Sequence, residues 1–420
     1  MIKSIKVMLL PNNKQFTKLV ETANAARHAY NWTIALQMEY FKETGKYLSD
    51  SEIRKLFTEH KQENTWLYNV SNNATKQAIK DCCNAFIRFL QEKKKPNYKP
   101  YSKKQIAKST QKNKALTRYD MQWHPKFKKK FKAEPKFYVD TEKIKFSGTH
   151  VKLENIAVSK KKNKQQINWL KLAEADRIPT DCKYINPRVK FDGLNWWISV
   201  GIEVGETITE PLNVEVLGVD VGVSDLAIVS DEVQTRYKNI NKTATVRKLK
   251  KKQRRLQRKI SRKYIKNKKG ESYCKNSFNY VKTKNIIKSE KQLLKINQRL
   301  TGIRHNHVHY ATSEIVGQKP RRIVLEDLNI QGMMKNKHLS KAMQEQCLYE
   351  FSRQVAYKCA WSGIEFVEAD RFYPSSKKCI VCGEIKRDLK LKDRIYKCSH
   401  CGNEIDRDYQ AALNLARYVV

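Results

Sequence analysis

The run LGVDVGVSDLAIVSD, residues 217–231, constrains the fold most, because it sets a carboxylate inside an otherwise apolar stretch. Leu217, Val219 and Val221 alternate along the run, a pattern typical of a buried strand, and Asp220 lies among them. A buried carboxylate costs several kcal/mol unless a partner compensates its charge. The sequence therefore predicts a buried strand in which Asp220 meets a cation or a hydrogen-bond donor.

The charge of the chain points to a polyanionic partner. Among 420 residues, 85 are Lys or Arg and 42 are Asp or Glu, so the formal net charge is +43. A hydrophobic fraction of 40% and an aromatic fraction of 10% indicate globular domains, two or three at this length. No apolar run approaches the roughly 18 residues of a membrane span. The first residues, MIKSIKVMLLPNNK, have too short an apolar core for a signal peptide and predict a strand that ends at Pro11.

Four of the ten cysteines have the spacing of a metal site. Cys379 and Cys382 form one C-x₂-C pair, and Cys398 and Cys401 form a second after fifteen intervening residues. Two such turns can present four thiolates tetrahedrally, which predicts a structural zinc with no open position for substrate. A redox pair is disfavoured because both pairs occur together without a βαβ pattern.

The other six cysteines are scattered, and we expect them to pack in the core. They are Cys82, Cys83, Cys182, Cys274, Cys347 and Cys359. No disulfide framework is indicated, so we expect a reducing, cytoplasmic environment.

Helical and extended patterns alternate in blocks along the chain. Residues 14–43 and 72–95 carry long helical patterns, whereas short strands dominate 136–204. The last of these strands should bury one face, formed by Trp196, Ile198, Val200, Ile202 and Val204. The helical block is therefore inserted between the first strand and the later strands. Pro and Gly near 205–211 mark a domain boundary, and the strand bearing Asp220 follows it.

A strongly basic helix is predicted after that strand. From Arg247 to Lys269, 14 of 23 residues are Lys or Arg and none is acidic, yet an apolar stripe remains. A solvated helix face is one explanation, but charges of one sign repel each other, so phosphates are the favoured partner. The candidate nucleic-acid contacts are Arg247, Lys248, Lys251, Arg254, Arg255, Arg258 and Arg262. Residues 286–316 predict a return helix that forms a hairpin with it, with an apolar stripe at 3-4-3 spacing formed by Leu293, Ile296, Leu300, Ile303 and Tyr310.

Two further acidic positions are candidate companions of Asp220. Glu326 lies near the end of the apolar run RRIVLEDLNI. Asp406 and Asp408 precede a helical pattern after the last cysteine, whose apolar positions include Ala412, Leu415 and Val419. Taken singly, each could be a surface charge or a helix cap. Taken together, their order is that of an RNase H-like fold, in which three carboxylates hold two Mg²⁺ ions for phosphodiester hydrolysis.

The second half of the sequence resembles the TnpB (OrfB) proteins of insertion sequences, relatives of type V CRISPR nucleases. The matching stretches are LGVDVGVSDLAIVSD, RKLKKKQRRLQRKISRK, IVLEDLNIQGMMKNKHLSKA, DRFYPSSKKCIVCG and YKCSHCGNEIDRDYQAALNLA, which lie in the family's order between residues 216 and 416. The resemblance implies a RuvC-type nuclease with an inserted zinc ribbon, a helical recognition domain and a wedge β-barrel. It also implies a guide RNA from the element's own end and cleavage of DNA beside a short target-adjacent motif.

The resemblance also implies roles for single residues. Asp220, Glu326 and Asp408 fall on the family's three RuvC positions and would bind Mg²⁺, which leaves Asp406 as a cap or a loop charge. One departure is Gln410, where the family usually has Asn. On the helix over 72–95, the side away from the apolar face carries Lys76, Gln77 and Lys80. Glutamine suits bidentate contact with adenine, so Gln77 is a candidate reader of the adjacent motif.

These expectations combine into one prediction of fold and function. The fold class is α/β, as a multi-domain α+β chain. The expected domains are a wedge β-barrel (1–12 and 131–210), a helical recognition domain (13–130), a RuvC-like domain (211–378 and 403–420) and a zinc ribbon (379–402). The favoured function is an Mg²⁺-dependent, RNA-guided DNA endonuclease.

Three alternatives remain. An RNA-guided repressor from the same family would be marked by loss of a carboxylate. A zinc-ribbon RNA-binding protein would leave the acids unexplained. A transposase acting on its own DNA ends would need a Tyr nucleophile with a His metal site, an arrangement that the sequence does not supply.

Overall fold

The computed structural model describes residues 2–112, 115–117, 120–130, 132–154, 169–205, 215–271, 278–280, 282–390 and 393–419. The chain divides into two compact units, Ile2–Val204 and Gly205–Val420. Both contain helices and sheets, which confirms the α+β class. Within the described ranges, no helix is long and apolar enough to cross a membrane.

Helices in the first unit follow one strand, β1 (Ile2–Leu10). They are α1 (Asn13–Thr44), α2 (Asp50–Glu63), α3 (Asn72–Lys93) and α4 (Lys103–Lys112). Helix α1 begins at a capping box between Asn12 and Gln15 and ends at Gly45 in the left-handed region (φ +70°). The predicted helices over 14–43 and 72–95 are thus confirmed.

A seven-stranded antiparallel sheet forms the rest of the first unit. Its strands are β1, β2 (Lys136–Tyr138), β3 (Lys145–Phe146), β4 (His150–Lys152), β5 (Trp169–Leu172), β6 (Tyr184–Phe191) and β7 (Trp196–Glu203). Their order is β2-β6-β7-β1-β5-β4-β3. Strand β7 alternates as predicted, with Trp196, Ile198, Val200 and Ile202 buried, although Val204 lies beyond its end and is exposed. Closure into a wedge β-barrel remains a prediction.

A five-stranded mixed sheet is the centre of the second unit. Its strands are β8 (Val216–Val221), β9 (Asp225–Val229), β10 (Arg236–Lys238), β13 (Arg322–Glu326) and β14 (Glu365–Ala369), in the order β10-β9-β8-β13-β14. Strands β8, β13 and β14 are parallel, whereas β9 and β10 are antiparallel to their neighbours. The carboxyl ends of the three parallel strands therefore share one edge of the sheet.

Two long helices form the predicted hairpin. Helix α5 (Ala244–Lys266) carries the basic run, and α6 (Lys284–Gly317) returns along it; between them lie two short paired strands, β11 (Lys268–Glu271) and β12 (Phe278–Tyr280). Val246, Ile296 and Leu300 are buried between the helices. Tyr310 was expected in this apolar stripe, but it is exposed and its hydroxyl donates to Glu314.

The remaining elements of the second unit are short. Three helices precede β14, namely α7 (Ile330–Met333), α8 (Ser340–Gln346) and α9 (Leu348–Ser362). A hairpin of β15 (Ile395–Lys397) and β16 (Glu404–Asp406) leads into the last helix, α10 (Arg407–Ala416). Ala412 and Leu415 on α10 are buried as expected, but Val419 lies past the end of the helix and is exposed.

Candidate active site

Asp220 and Glu326 lie side by side at the carboxyl edge of the parallel strands. Val219 on β8 pairs with Leu325 on β13, and each carboxylate is the next residue along its strand. Asp220 is half-buried, and its desolvation, followed by repulsion from Glu326 and Asp408, raises its pKa well above the ordinary 3.8. Burial, and then the charge of Asp327, also raises the pKa of Glu326. The strands thus set two carboxylates together where neither ionises easily.

Asp408 reaches the same place from the first turn of α10. Helix α10 packs against β8, and the charge of Asp408 contributes to the raised pKa of Asp220. Among the described residues, however, the four cysteines of 379–401 are the only group of three or more His, Cys, Asp or Glu side chains whose metal-ligand atoms all lie within 4.8 Å of one another. The Arg407 guanidinium donates to Asp408 Oδ1 at 2.8 Å, and Arg394 Nη1 lies 3.5 Å from Oδ2. Sequence reasoning missed both arginines, although both lie close to the acid in the chain. They orient the third carboxylate.

Asp406 has a different role at the start of α10. Its Oδ1 accepts hydrogen bonds from the backbone N–H groups of Asp408 (3.0 Å) and Tyr409 (2.9 Å), so Asp406 is the N-cap of α10. The Arg236 guanidinium lies 3.1 Å from the same oxygen. The expectation that Asp406 caps the helix is therefore confirmed.

A glycine lets α10 pack directly on the strand that carries Asp220. A Cβ atom placed on Gly218 would lie 2.0 Å from the Ala412 carbonyl oxygen and 2.4 Å from the Ala416 backbone nitrogen. The backbones of α10 and β8 are therefore in direct contact, without a side chain between them. This close approach fixes Asp408 relative to Asp220.

Gln410 on α10 has a buried amide in an unusual environment. Its side chain is fully buried, and within the described part of the chain neither Oε1 nor Nε2 has a hydrogen-bond partner. The amide differs from the family's usual Asn by one methylene.

The four predicted zinc ligands form one cluster. The Sγ atoms of Cys379, Cys382, Cys398 and Cys401 all lie within 4.8 Å of one another. The Cys379–Cys401 and Cys382–Cys398 sulfurs are 3.6 and 3.5 Å apart. Tetrahedral zinc with Zn–S bonds of about 2.3 Å separates its sulfurs by about 3.8 Å, so the donor set fits zinc.

The two cysteine turns are built alike. Gly383 N donates to Cys379 O at 3.0 Å, and Gly402 N donates to Cys398 O at 3.2 Å. Both glycines have left-handed φ angles, +78° and +73°, which other residues adopt at a cost. The backbone N–H of Cys401 is the largest influence on Cys398 and helps to lower its thiol pKa to about 6, which favours the thiolate that metals bind.

Helix α10 also holds the cysteine cluster. The Asn414 side-chain amide is buried and donates to the Ser375 and Lys378 carbonyl oxygens at 2.7 and 2.6 Å, just before Cys379. After the second turn, β16 runs into the Asp406 cap. The cluster and Asp408 are therefore positioned by the same ten-residue helix.

Among the remaining cysteines, Cys82, Cys83 and Cys359 are buried as predicted, whereas Cys182 and Cys347 are only partly buried. Cys274 lies outside the described residues.

The proposed nucleic-acid contacts fall into two groups. On α3, Lys76 and Lys80 are exposed, whereas Gln77 is half-buried and its amide donates to Asp81 Oδ1 at 2.9 Å. On α5 all seven candidates are exposed: Arg247, Lys248, Lys251, Arg254, Arg255, Arg258 and Arg262. Gln77 is thus oriented by a protein partner, while the lysines and the basic helix are available to a ligand.

Three family models match this sequence. The OrfB IS605 model, described as "Probable transposase", matches residues 199–337, and the OrfB IS605 helix-turn-helix domain model matches residues 1–46. The model of the Cas12f1-like TNB domain matches residues 349–415, which include all four clustered cysteines and Asp408.

Relatives match the chain almost from end to end. A "Putative RNA-guided DNA endonuclease" of Streptomyces pristinaespiralis is 25% identical over 98% of this chain and 88% of its own length. The Escherichia coli K12 protein InsQ, which has the same description, is 23% identical over 99% of this chain and 91% of its own length. A solved structure of the mini-RNA-guided endonuclease CRISPR-Cas_phi3 covers 99% of this chain and 92% of its own, with 11% identity and a TM-score of 0.44. The two OrfB models, the full-length relatives and the motifs found between residues 216 and 416 agree with one another, and the chain is similar to the TnpB (OrfB) proteins.

Proposed function

We propose that the protein is an RNA-guided DNA endonuclease of a transposable element that cuts target DNA beside a short adjacent motif. The observation that carries this proposal is the meeting of Asp220, Glu326 and Asp408 at one edge of the sheet. Two strands and the start of a helix carry these carboxylates, in the chain order of an RNase H-like, RuvC-type nuclease. The full-length relatives named as RNA-guided DNA endonucleases support the same activity.

The carboxylate cluster suits Mg²⁺. Three carboxylates that repel one another and are partly shielded from water need a counter-charge, and hard oxygen ligands are those that Mg²⁺ prefers. Two bound Mg²⁺ ions would activate water and stabilise the leaving oxygen of a phosphodiester. Asp220, Glu326 and Asp408 would hold them. Asp406 keeps the start of α10 in place, and Arg407 orients the Asp408 carboxylate.

The cysteine cluster would hold one structural zinc. All four positions of a tetrahedral site are filled by thiols, so no position is left for substrate or water. Because the cysteine cluster directly precedes the Asp406 cap in the chain, a bound zinc would stabilise the start of α10. The zinc therefore supports catalysis by positioning Asp408, without taking part in the chemistry.

Nucleic-acid partners would account for the net positive charge of the chain. A guide RNA and its heteroduplex with DNA require a basic channel, and the net charge of +43 supplies the opposite sign. We assign the guide to the element's own end, the helical domain over 13–130 to motif recognition, and the unit after residue 211 to cleavage. The protein would act in the cytoplasm, bound to the nucleoid when it engages DNA.

An RNA-guided repressor is the alternative within the family. Such a protein would bind the same ligands, but it would have no need of an intact carboxylate cluster. All three carboxylates are kept here, together with the Asp406 cap and the Gly218 contact that position them. These features favour cleavage over binding alone.

A direct test uses the protein with the RNA that copurifies with it. We expect sequencing to reveal one dominant RNA, and we expect Mg²⁺-dependent cleavage of plasmids that carry its complement beside a randomised motif library. Binding without cleavage would favour the repressor. A heterogeneous RNA population, or cleavage that ignores the RNA sequence, would contradict guided function.

A further inference from the structure

The loop over 370–375, which follows β14, carries an aromatic side chain that the described protein does not cover. Phe372 is 88% exposed, the largest exposed fraction of any large apolar side chain among the described residues. No described aromatic ring packs on it. A single exposed apolar side chain is ordinary on a protein surface, so exposure alone assigns no role. What distinguishes Phe372 is where it lies and how firmly its loop is held.

Phe372 lies at the edge of the sheet that carries the carboxylates. In the parallel pair of β13 and β14, Glu326 is paired with Ala369, the last residue of β14. Phe372 follows three residues later, and three extended residues span at most about 10 Å. Beyond the strand ends, Arg371 Nη2 donates to Asp327 Oδ2 at 2.6 Å, so the two chain segments stay side by side. The Phe372 ring is therefore exposed to solvent beside the candidate active site.

The backbone of the loop is held on both sides of the ring. Asp370 closes a turn, because its Oδ1 accepts from the Phe372 N–H at 2.7 Å and its carbonyl oxygen accepts from the Tyr373 N–H at 2.9 Å. The Tyr373 hydroxyl donates to the Asn414 carbonyl oxygen on α10 at 3.1 Å, and its ring packs edge-on against Tyr418. A ligand would thus meet an ordered backbone, and only the torsions of the Phe372 side chain would be fixed on binding.

A nucleobase is the ligand that suits such a ring beside a phosphodiester-cutting site. Every base has a π-face, so stacking on an aromatic side chain tolerates any sequence. Within a duplex both faces of a base are covered by its neighbours, so the ring can stack only on a base that has left the stack. An apolar surface for a protein partner would be more extensive, whereas the two residues before Phe372, Asp370 and Arg371, are charged and exposed.

We propose that the Phe372 ring stacks on an unpaired base of the DNA strand being cut, a few nucleotides from the scissile phosphate. The stacked base keeps the strand from sliding and so holds that phosphate at the carboxylates, where a small misplacement costs rate. This inference rests on the proposed function and adds a contact to its substrate. Because stacking does not read base identity, Phe372 contributes to the rate of cutting and not to the choice of target.

The test compares variants of the full chain, each with the RNA that copurifies with it, on guide-matched DNA. Phe372→Ala removes the ring, Phe372→Leu keeps an apolar side chain without a π-face, and Phe372→Tyr keeps a ring. Val233→Ala is the matched control, because Val233 is 85% exposed in the turn after β9. That turn lies at the opposite edge of the sheet, since β9 is antiparallel to β8. Thermal unfolding checks that all four variants fold.

Loss of one stacking contact should slow single-turnover cutting by on the order of 10-fold. We expect this loss in Phe372→Ala and Phe372→Leu, whereas Phe372→Tyr should keep most of the rate and Val233→Ala all of it. RNA binding should be unchanged in every variant. A wild-type rate in Phe372→Ala, or an equal loss in Val233→Ala, would overturn the proposal.

A scan of single abasic sites along the cut strand tests the stacking itself. With wild-type protein, an abasic site at the stacked position should slow cutting by about the same factor as Phe372→Ala does. With Phe372→Ala that penalty should disappear, because the variant and the abasic site remove the same contact. Penalties that are the same in Phe372→Ala and wild type at every position would overturn the assignment to base stacking. Failure of the wild-type complex to cut guide-matched DNA would instead contradict the proposed function.

Discussion

The contact between Gly218 and α10 predicts a large effect from one added methyl group. In Gly218→Ala the new Cβ would lie 2.0 Å from the Ala412 carbonyl oxygen, whereas ordinary contacts of this kind begin at 3.4 Å. The helix must therefore move by about 1.4 Å, and Asp408 must move with it. Overpacking of this kind costs about 1–3 kcal/mol, and a misplacement of about 1 Å at a reacting centre costs about 100-fold in rate.

Cleavage under single-turnover conditions and thermal unfolding measure the two effects separately. We expect Gly218→Ala to cut about 100-fold more slowly and to unfold about 2–10 °C lower, with RNA binding retained. Gly222→Ala is the matched control, because its Cβ would lie 3.5 Å from the nearest atom, the Asp225 carbonyl oxygen, an ordinary contact. Wild-type rate and stability in Gly218→Ala would show that α10 does not pack on β8 as described, and that Asp408 is not held beside Asp220.

Three other perturbations follow from the same geometry. Cys398→Ser should lose the bound zinc, about one per chain in elemental analysis, and slow cleavage, whereas Cys347→Ser should keep both; wild-type protein without zinc would contradict this. The raised pKa of Asp220 means that the folded chain binds its proton more tightly than the unfolded chain does, so without Mg²⁺ stability should fall as pH rises above the ordinary pKa of 3.8. Asp220→Asn should remove that slope in unfolding measured with a chelator, and an unchanged slope would refute the cause. Gln77→Ala should change which adjacent motif supports cleavage while RNA binding persists; an unchanged motif screen would refute the role of Gln77.

The sequence predicted what depends on short-range pattern. Apolar alternation found β8, near-heptad spacing found the α5–α6 hairpin, and cysteine spacing found the cluster at 379–401, because each signal is local in the chain. The meeting of the three carboxylates could be inferred only from their order and from the family resemblance. They lie 106 and 82 residues apart along the chain, so no periodicity connects them.

Features that depend on tertiary packing were missed. Nothing local distinguishes Gly218 from a glycine in any strand, because its role comes from the backbone of α10 on the opposite side of the contact. Likewise, the basic run on α5 gives no sign of which cations are neutralised, since Glu345 lies some 90 residues further along the chain. Tyr310 and Val419 were wrongly placed in the core, because a helical pattern extends beyond the surface that its neighbours cover.

The central claim is that Asp408, with Asp220 and Glu326, forms the cleavage site. The most direct test is Mg²⁺-dependent cutting of a guide-matched plasmid by Asp408→Ala and by Asp406→Ala, with guided DNA binding measured in parallel. A metal-binding carboxylate acts in the transition state, so Asp408→Ala should lower the rate by at least about 1,000-fold while binding is kept. Asp406→Ala removes a cap worth about 1 kcal/mol, so it should lower stability and cost only part of the rate. An inactive Asp406→Ala beside an active Asp408→Ala, at the same Mg²⁺ concentration, would contradict the assignment.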